Sequence, residues 1–256
     1  MKISIVTSYF NRKKLLINTL KSIKQTEFKN FEFIIVDDAS NNDNKIDDLV
    51  YDFPFIKLIR IEPEDKWYIN PCIPFNIGFK NITGDIVIIQ NPECFHTSDI
   101  ISFVAQNLKE NDYFSFGCYS LSEEKTQSLT NDINSYQEFS YHNRSARFNG
   151  DDSWYNHSIF RPKGYHFASA IYKSKLDELN GFDERFANGY GYDDDEFLFR
   201  VNKMCNVKFI DKPLVLHQHH YNLSQMQNNS NDKLIVNNSE LFYNTTIKEN
   251  KIKVNI

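Results

Sequence analysis

In its first third the chain alternates between short, wholly apolar runs and segments whose apolar residues recur at helical spacing. "ISIVTSYF" is a β-branched run that ends at a polar turn, and its length and composition predict a buried strand. "RKKLLINTLKSIKQT" places Leu15, Leu16, Thr19, Leu20 and Ile23 on one helical face. "FEFIIVDDAS" predicts a second strand that stops on two aspartates, and a polar helical segment follows from Asn42 to Asp52. "FIKLIRI" predicts a third strand and "IPFNIGFKNI" a helix. Gly84 then turns the chain into a fourth strand, "DIVIIQ". Strands apolar on both faces, alternating with helices, predict an α/β fold with a mostly parallel sheet covered on both sides. Ligands in such sheets bind beyond the carboxyl ends of the strands. That rule selects Thr7 to Asn11, Asp37 to Ser40 and Gln90 to His96 as site loops.

The rest of the chain is less regular. Thr130 to Arg161 is polar and aromatic and predicts a long loop. "YHFASAIYKSKLDELNGFDERF" predicts a strand of small residues and a helix ended by Gly181. "YDDDEFLFRVNKM" predicts a helix opened by four acids, and "VKFIDKPLVLHQHH" two short strands with a histidine cluster. The pattern predicts one domain over residues 1–221, with an Asn-rich, peripheral tail over 222–256.

Composition narrows the function classes. A net charge of −5 argues against a nucleic-acid backbone as partner, because that affinity comes from clustered Lys and Arg. The cysteines Cys72, Cys94, Cys118 and Cys205 are widely spaced, which predicts free thiols, a reducing compartment and no zinc framework. Neither a signal peptide nor a membrane-spanning run is read, so a cytoplasmic location is expected.

Three stretches carry candidate chemistry. The acids of "VDDAS" suit a helix N-cap; they equally suit a nucleobase N–H, with Thr7 of the neighbouring strand beside Asp38. In "GYGYDDDEFLFR", acids favour the positive end of the helix dipole. Four consecutive acids repel one another, however, and that proximity suits a general base. "LHQHH" offers His217, His219 and His220 as metal ligands. On a continuing strand, 217 and 219 would face one way and 220 the other.

Together "SIVTSYFNR", "FEFIIVDDAS", "FNIGFKNITGDIVIIQ" and "LNGFDERFANGYGYDDDEFLFR" resemble the family 2 glycosyltransferases with the GT-A fold. The last of them is also similar to the acceptor-side segment of the β-1,4-galactosyltransferases. The resemblance implies a nucleotide-sugar half over residues 1–98 and an acceptor half over 99–221. It implies nucleotide contacts from Thr7, Tyr9, Arg12, Asp37, Asp38, Asn76 and Asn91, and a catalytic base at Asp194 with Asp193 beside it. Mn²⁺ or Mg²⁺ is implied at Glu93 with His217 or His219, and His96 is a further candidate. Trp154, Tyr155, Tyr165 and Tyr190, with His157, are expected to stack on the acceptor. The departure from the family lies at Asn91-Pro92-Glu93, where an Asp-x-Asp is expected. Glu93 still offers a hard oxygen ligand there.

The implied reaction is an inverting, metal-dependent transfer of a hexose from a UDP-sugar to a glycan or glycoconjugate hydroxyl. The alternative is a silent sugar- or nucleotide-binding module of the same fold. A nucleotidyltransferase is disfavoured, since "TSYFNRKK" has no glycine for a phosphate loop.

Overall fold

Strands β1 (Ile3–Tyr9), β2 (Phe31–Asp38), β3 (Ile56–Ile61) and β4 (Ile86–Gln90) lie in the order β3-β2-β1-β4, all parallel. The computed structural model describes residues 1–129, 140, 142–146, 152–220 and 230–255. The sheet continues through β5 (Cys94–His96), β6 (Asp112–Ser120), β7 (Ser153–Asn156), β8 (Ala168–Tyr172) and β9 (Asn206–His217). Among the described residues this gives a nine-stranded sheet in the order β3-β2-β1-β4-β8-β6-β9-β5, with β7 on β6. The expected α/β fold with a parallel half is present. Half of the predicted loop from Thr130 to Arg161 lies outside the described residues, and β7 occupies part of the remainder.

Alternation along the parallel strands explains why both faces are covered. Ile3, Ile5, Phe33, Ile35, Ile86 and Ile88 join Leu16 and Leu20 of the helix Lys13–Ile23 in one buried cluster. Val6, Ile34, Val36, Val87 and Ile89 point the other way. They join Phe75, Leu176, Phe182 and Phe197, which come from the helices Cys72–Phe79, Lys173–Leu179 and Asp193–Met204 and their connections. Each such side chain taken from water contributes about 1.5–3 kcal/mol, so neither layer can be removed without unfolding the sheet.

Three expectations need correction. Asn42 to Asp52 forms a short 3₁₀ turn, Asn42–Asn44, and a brief helix, Leu49–Asp52, because it is too polar to bury a continuous face. "VKFIDKPLVLH" is one strand, β9, whose pairing with β6 shifts register between Phe116 and Gly117. The C-terminal segment is not peripheral. Its helix Ser230–Leu241 carries the buried Asn238, whose amide donates to the carbonyls of Phe186 (3.2 Å) and Gly191 (2.8 Å).

The acidic helix is locked from below. Arg200 and Glu196, both 0% exposed, form a two-pronged ion pair at 2.6 Å, and Arg200 also donates to the carbonyls of Leu179 and Gly181. Arg200→Met is expected to destabilise the fold by about 3–5 kcal/mol, because Glu196 is left buried without its partner. The check is the urea midpoint, and Glu196→Leu on top of it should recover much of the loss.

Candidate active site

The carboxyl ends of β1, β2 and β3 open onto a cleft of about 450 Å³, lined by Phe10, Asn11, Ser40, Lys45 and Arg60 among others. Asn11 takes a left-handed backbone (φ 50°), and its side-chain oxygen accepts from the Asn41 N–H. Its own N–H donates to Ser40 Oγ, which ties the β1 and β2 turns together. Asp37 is fully buried; it accepts from Ser40 N–H and pairs with Arg60 (3.3 Å). Asp38 is held at both oxygens, by Tyr68 Oη (2.7 Å) and Lys66 Nζ (2.8 Å). Between those two residues Trp67 is 63% exposed.

Several predicted nucleotide contacts fall short of this cleft. β1 continues to Tyr9, so Thr7 and Tyr9 are still inside the sheet and fully buried. The Tyr9 hydroxyl donates to the Asn44 carbonyl, and burial pushes it well above the usual phenol range. The cleft residues are the next two in the turn, Phe10 and Asn11. Asn76 is also corrected. Its amide donates to the Phe182 carbonyl and to Glu184, and its oxygen accepts from Phe182 N–H. Gly181 (φ 73°) lies so close that a Cβ would sit 2.3 Å from Asn76 Oδ1. Asn76 is thus a clamp on the 181–184 turn.

At the end of β4 the chain gathers a second group. Glu93, 1% exposed, receives Arg12 Nη1 on Oε2 (2.9 Å). On Oε1 it meets the Nε2 atoms of His217 (3.0 Å) and His220 (3.3 Å). Burial pushes the Glu93 carboxyl up, but Arg12, His220 and His217 outweigh it and hold the group well below the usual carboxylate range. Burial moves His217 down, against the pull of Glu93. One carboxylate oxygen and two imidazole nitrogens within 4.8 Å of one another fit a divalent ion that accepts mixed N and O ligands.

His220 replaces the expected His219. β9 ends at His217, so strand alternation stops there. The next residue, Gln218, is fully buried, and its amide donates to the carbonyls of Leu15 and Glu93. His219 leaves the group with its N–H on Thr126 Oγ1, and His220 returns to Glu93. Mn²⁺ affinity is therefore expected to fall in His220→Ala by at least the roughly 10–100-fold that loss of an outer-shell partner costs. His219→Ala should leave it nearly unchanged; titration calorimetry reads both. His96 is excluded by alternation along β5: it is buried on Gln90 (2.9 Å), and burial lowers its pKa to about 4.

The acids of the helix Asp193–Met204 have separate surroundings. Asp193 is buried and accepts from Asn70 (2.9 Å); burial and the adjacent Asp194 raise its pKa to about 6. Asp194, with 34% of its side chain exposed, has Oδ1 2.5 Å from His166 Nδ1. Asp195 accepts from the Tyr165 hydroxyl. This acidic turn is linked to the Glu93 group through one strand end, by way of His166, Phe167 and Asn91. β8 pairs antiparallel with β4, Gln90 against Ala168, and Asn91 N–H donates to the Phe167 carbonyl (3.1 Å). Asn91 itself reaches Glu93 at 3.5 Å.

Of the expected acceptor aromatics, Trp154 is withdrawn: it is fully buried, and its indole N–H donates to the Asn143 carbonyl. His157 is likewise buried, its Nδ1 accepting from the N–H of Ile159. Tyr155 packs on His217 at 4.9 Å between ring centres, and Tyr190 is half-buried with its N–H on Leu234 of the C-terminal helix. Sequence reasoning missed His166, Asn70 and Gln218. No spacing marks the first two, while the "HQHH" run could have suggested an inward-facing amide.

A family model described as glycosyl transferase family 2 matches residues 4–172, and one described as the N-terminal domain of galactosyltransferase matches 166–221. An uncharacterized glycosyltransferase of Rickettsia conorii is 30% identical over 125 residues, covering 48% of this chain and 20% of its own length. One of Rickettsia felis is 29% identical over 125 residues, with the same coverage. This chain thus matches about a fifth of those relatives' length. Among solved structures, S. aureus TarS 1-349 superposes with a TM-score of 0.62 at 14% identity, over 85% of this chain and 60% of that one. The mannosyltransferase PcManGT from Pyrobaculum calidifontis, in complex with GDP-Man and Mn²⁺, gives 0.54 at 14% identity, over 84% and 56%. At that identity the likeness shows a shared GT-A fold.

Proposed function

This chain belongs to glycosyl transferase family 2, and from that premise we propose that it moves a hexose from a UDP-sugar to a hydroxyl of a glycan or glycoconjugate, with inversion. The observation that carries the reading is a divalent-ion donor set beside the end of β4, joined through Phe167 and His166 to a carboxylate that is one-third exposed. Glu93, His217 and His220 would hold Mn²⁺ or Mg²⁺, and the two imidazoles favour Mn²⁺. When bound, the ion neutralises charge on the leaving diphosphate. Arg12 adds a fixed cation at the other oxygen of Glu93.

The nucleoside lies in the cleft at the ends of β1 to β3, walled by Phe10, Asn11, Ser40 and Arg60, with Lys66 Nζ 4.3 Å from the Phe10 ring centre. TarS has been solved with UDP and with UDP-GlcNAc, which makes uridine donors the first to test. Asp194 takes the acceptor's hydroxyl proton as the oxygen bonds to the anomeric carbon. The bond from that carbon to the diphosphate breaks, and its electron pair leaves with UDP. Tyr190 and Tyr165, beside the acidic turn, bound the acceptor. The buried free cysteines support a reducing, cytoplasmic setting; among the described residues no helix is long and apolar enough to cross a membrane.

The test is release of nucleotide from a panel of nucleotide sugars, with and without Mn²⁺. Metal-dependent release from one donor is expected. UDP binding indifferent to metal, with no turnover of any donor, would instead identify a silent binding module.

A further inference from the structure

The contact between His166 and Asp194 has no counterpart in the reaction as derived so far. His166 immediately precedes the Phe167 carbonyl that joins β8 to the Asn91 loop. Its ring is buried in an aromatic box, with Phe75 at 5.1 Å (edge-on) and Phe182 at 4.9 Å. These rings fix the imidazole plane and place Nδ1 2.5 Å from Asp194 Oδ1, a buried oxygen that has no other partner among the described residues. A histidine packed only as an apolar filler would not direct a ring nitrogen at a carboxylate that is itself one-third exposed.

We infer that His166 is a positioning residue for the transfer: its Nδ1–H anchors one oxygen of Asp194, so that the other faces the acceptor hydroxyl as an ionised base. The inference rests on the reading of Asp194 as that base. Its chemistry is the orientation of a proton acceptor by a second group that touches no substrate. The proton of the acceptor ends on Asp194, and His166 keeps its own.

Among the described residues, few charged and titratable groups surround His166. Asp194 and Asp193 face it from the acidic helix. Tyr113 of β6 lies within electrostatic reach of Asp194, and Cys72 of the helix beneath Phe75 within reach of Asp193. Asp195 is turned to Tyr165. Burial alone would push the imidazole down, but the two carboxylates outweigh it and raise its proton affinity. An imidazolium in contact favours the charged form of a carboxylate.

Two measurements test this on the full chain. The first is the NMR titration of the His166 ring, assigned by its loss in His166→Phe. Its midpoint should fall by about one pH unit or more in Asp194→Asn; an unchanged midpoint overturns the pairing whether or not the protein transfers sugar. The second is the pH profile of kcat/KM for transfer. His166→Phe, which keeps the aromatic packing, should move the acid limb up by about one pH unit, with rates returning toward wild type at high pH. His166→Asn, which restores a donor near the Nδ1 position without charge, should keep that shifted limb but regain more of the high-pH rate. A uniform loss at every pH would mean a packing role only and would overturn the inference. Failure of the underlying reading looks different. Wild type would then turn over no donor at any pH, with the NMR coupling intact, and the proposed role would fall with it.

Discussion

Glu93→Gln is expected to abolish metal-dependent nucleotide release, lowering kcat/KM by about 100-fold or more, while UDP binding without metal persists. The substitution keeps the shape of a side chain that is almost wholly buried and removes only its charge. That charge is what Arg12, His217 and His220 converge on. Without it the two imidazoles stand beside a guanidinium with no anion among them, a poor site for a cation. Calorimetry with Mn²⁺ checks the binding directly. The same residue sets an acid limit on the folded protein. A carboxyl with a depressed folded pKa stabilises fully above the ordinary carboxylate range, about pH 4.3. That contribution is lost as pH falls below it toward the folded value. The metal-free protein should therefore weaken on acidification, and Glu93→Gln should flatten that dependence.

Asp194→Asn should lower kcat by about 10²–10⁴-fold, the span of a lost general base, with the donor's KM little changed. Asp193 is the poorer choice for this role despite its pKa near 6. It is buried, it is tied to Asn70, and its neighbour has the exposed oxygen. Asp193→Asn should therefore affect thermal stability more than its position at the head of the acidic run suggests. If Asp194→Asn transferred sugar at the wild-type rate, the assignment of the base would be wrong. Pre-steady-state release of UDP with and without acceptor separates the chemical step from donor binding.

The parallel half of the fold was legible because each of its strands is an apolar run bounded by polar turns, and a helix lies between most of them. The acidic helix and the β8 strand were equally plain, from "YDDDEF" and "HFASAIY". What was not legible depends on pairing between distant segments. β5 is a three-residue strand that exists only through its partner β9. In the site, Glu93, Asp194 and His217 could be singled out because acids and histidines cluster there in the sequence. Thr7 and Tyr9 lie inside the sheet and not in the cleft because sequence does not tell where a strand stops by two residues. His219 lies apart from the Glu93 group for the converse reason: the buried Gln218 interrupts strand alternation. His166 is isolated in sequence, and only the antiparallel insertion of β8 beside β4 brings it to Asp194.

The docked C-terminal helix changes where this protein can be cut. The galactosyltransferase-like match ends at residue 221, which invites a shortened version for expression or crystallisation. Such a version would strip Asn238 from the carbonyls of Phe186 and Gly191, the two ends of the turn that leads into the acidic helix. It would also remove the Phe242 ring that packs on Tyr192 and the Ile252 carbonyl that accepts from Arg200. The segment works as a splint on that turn, so a domain boundary drawn from sequence likeness would fall on the wrong side of it.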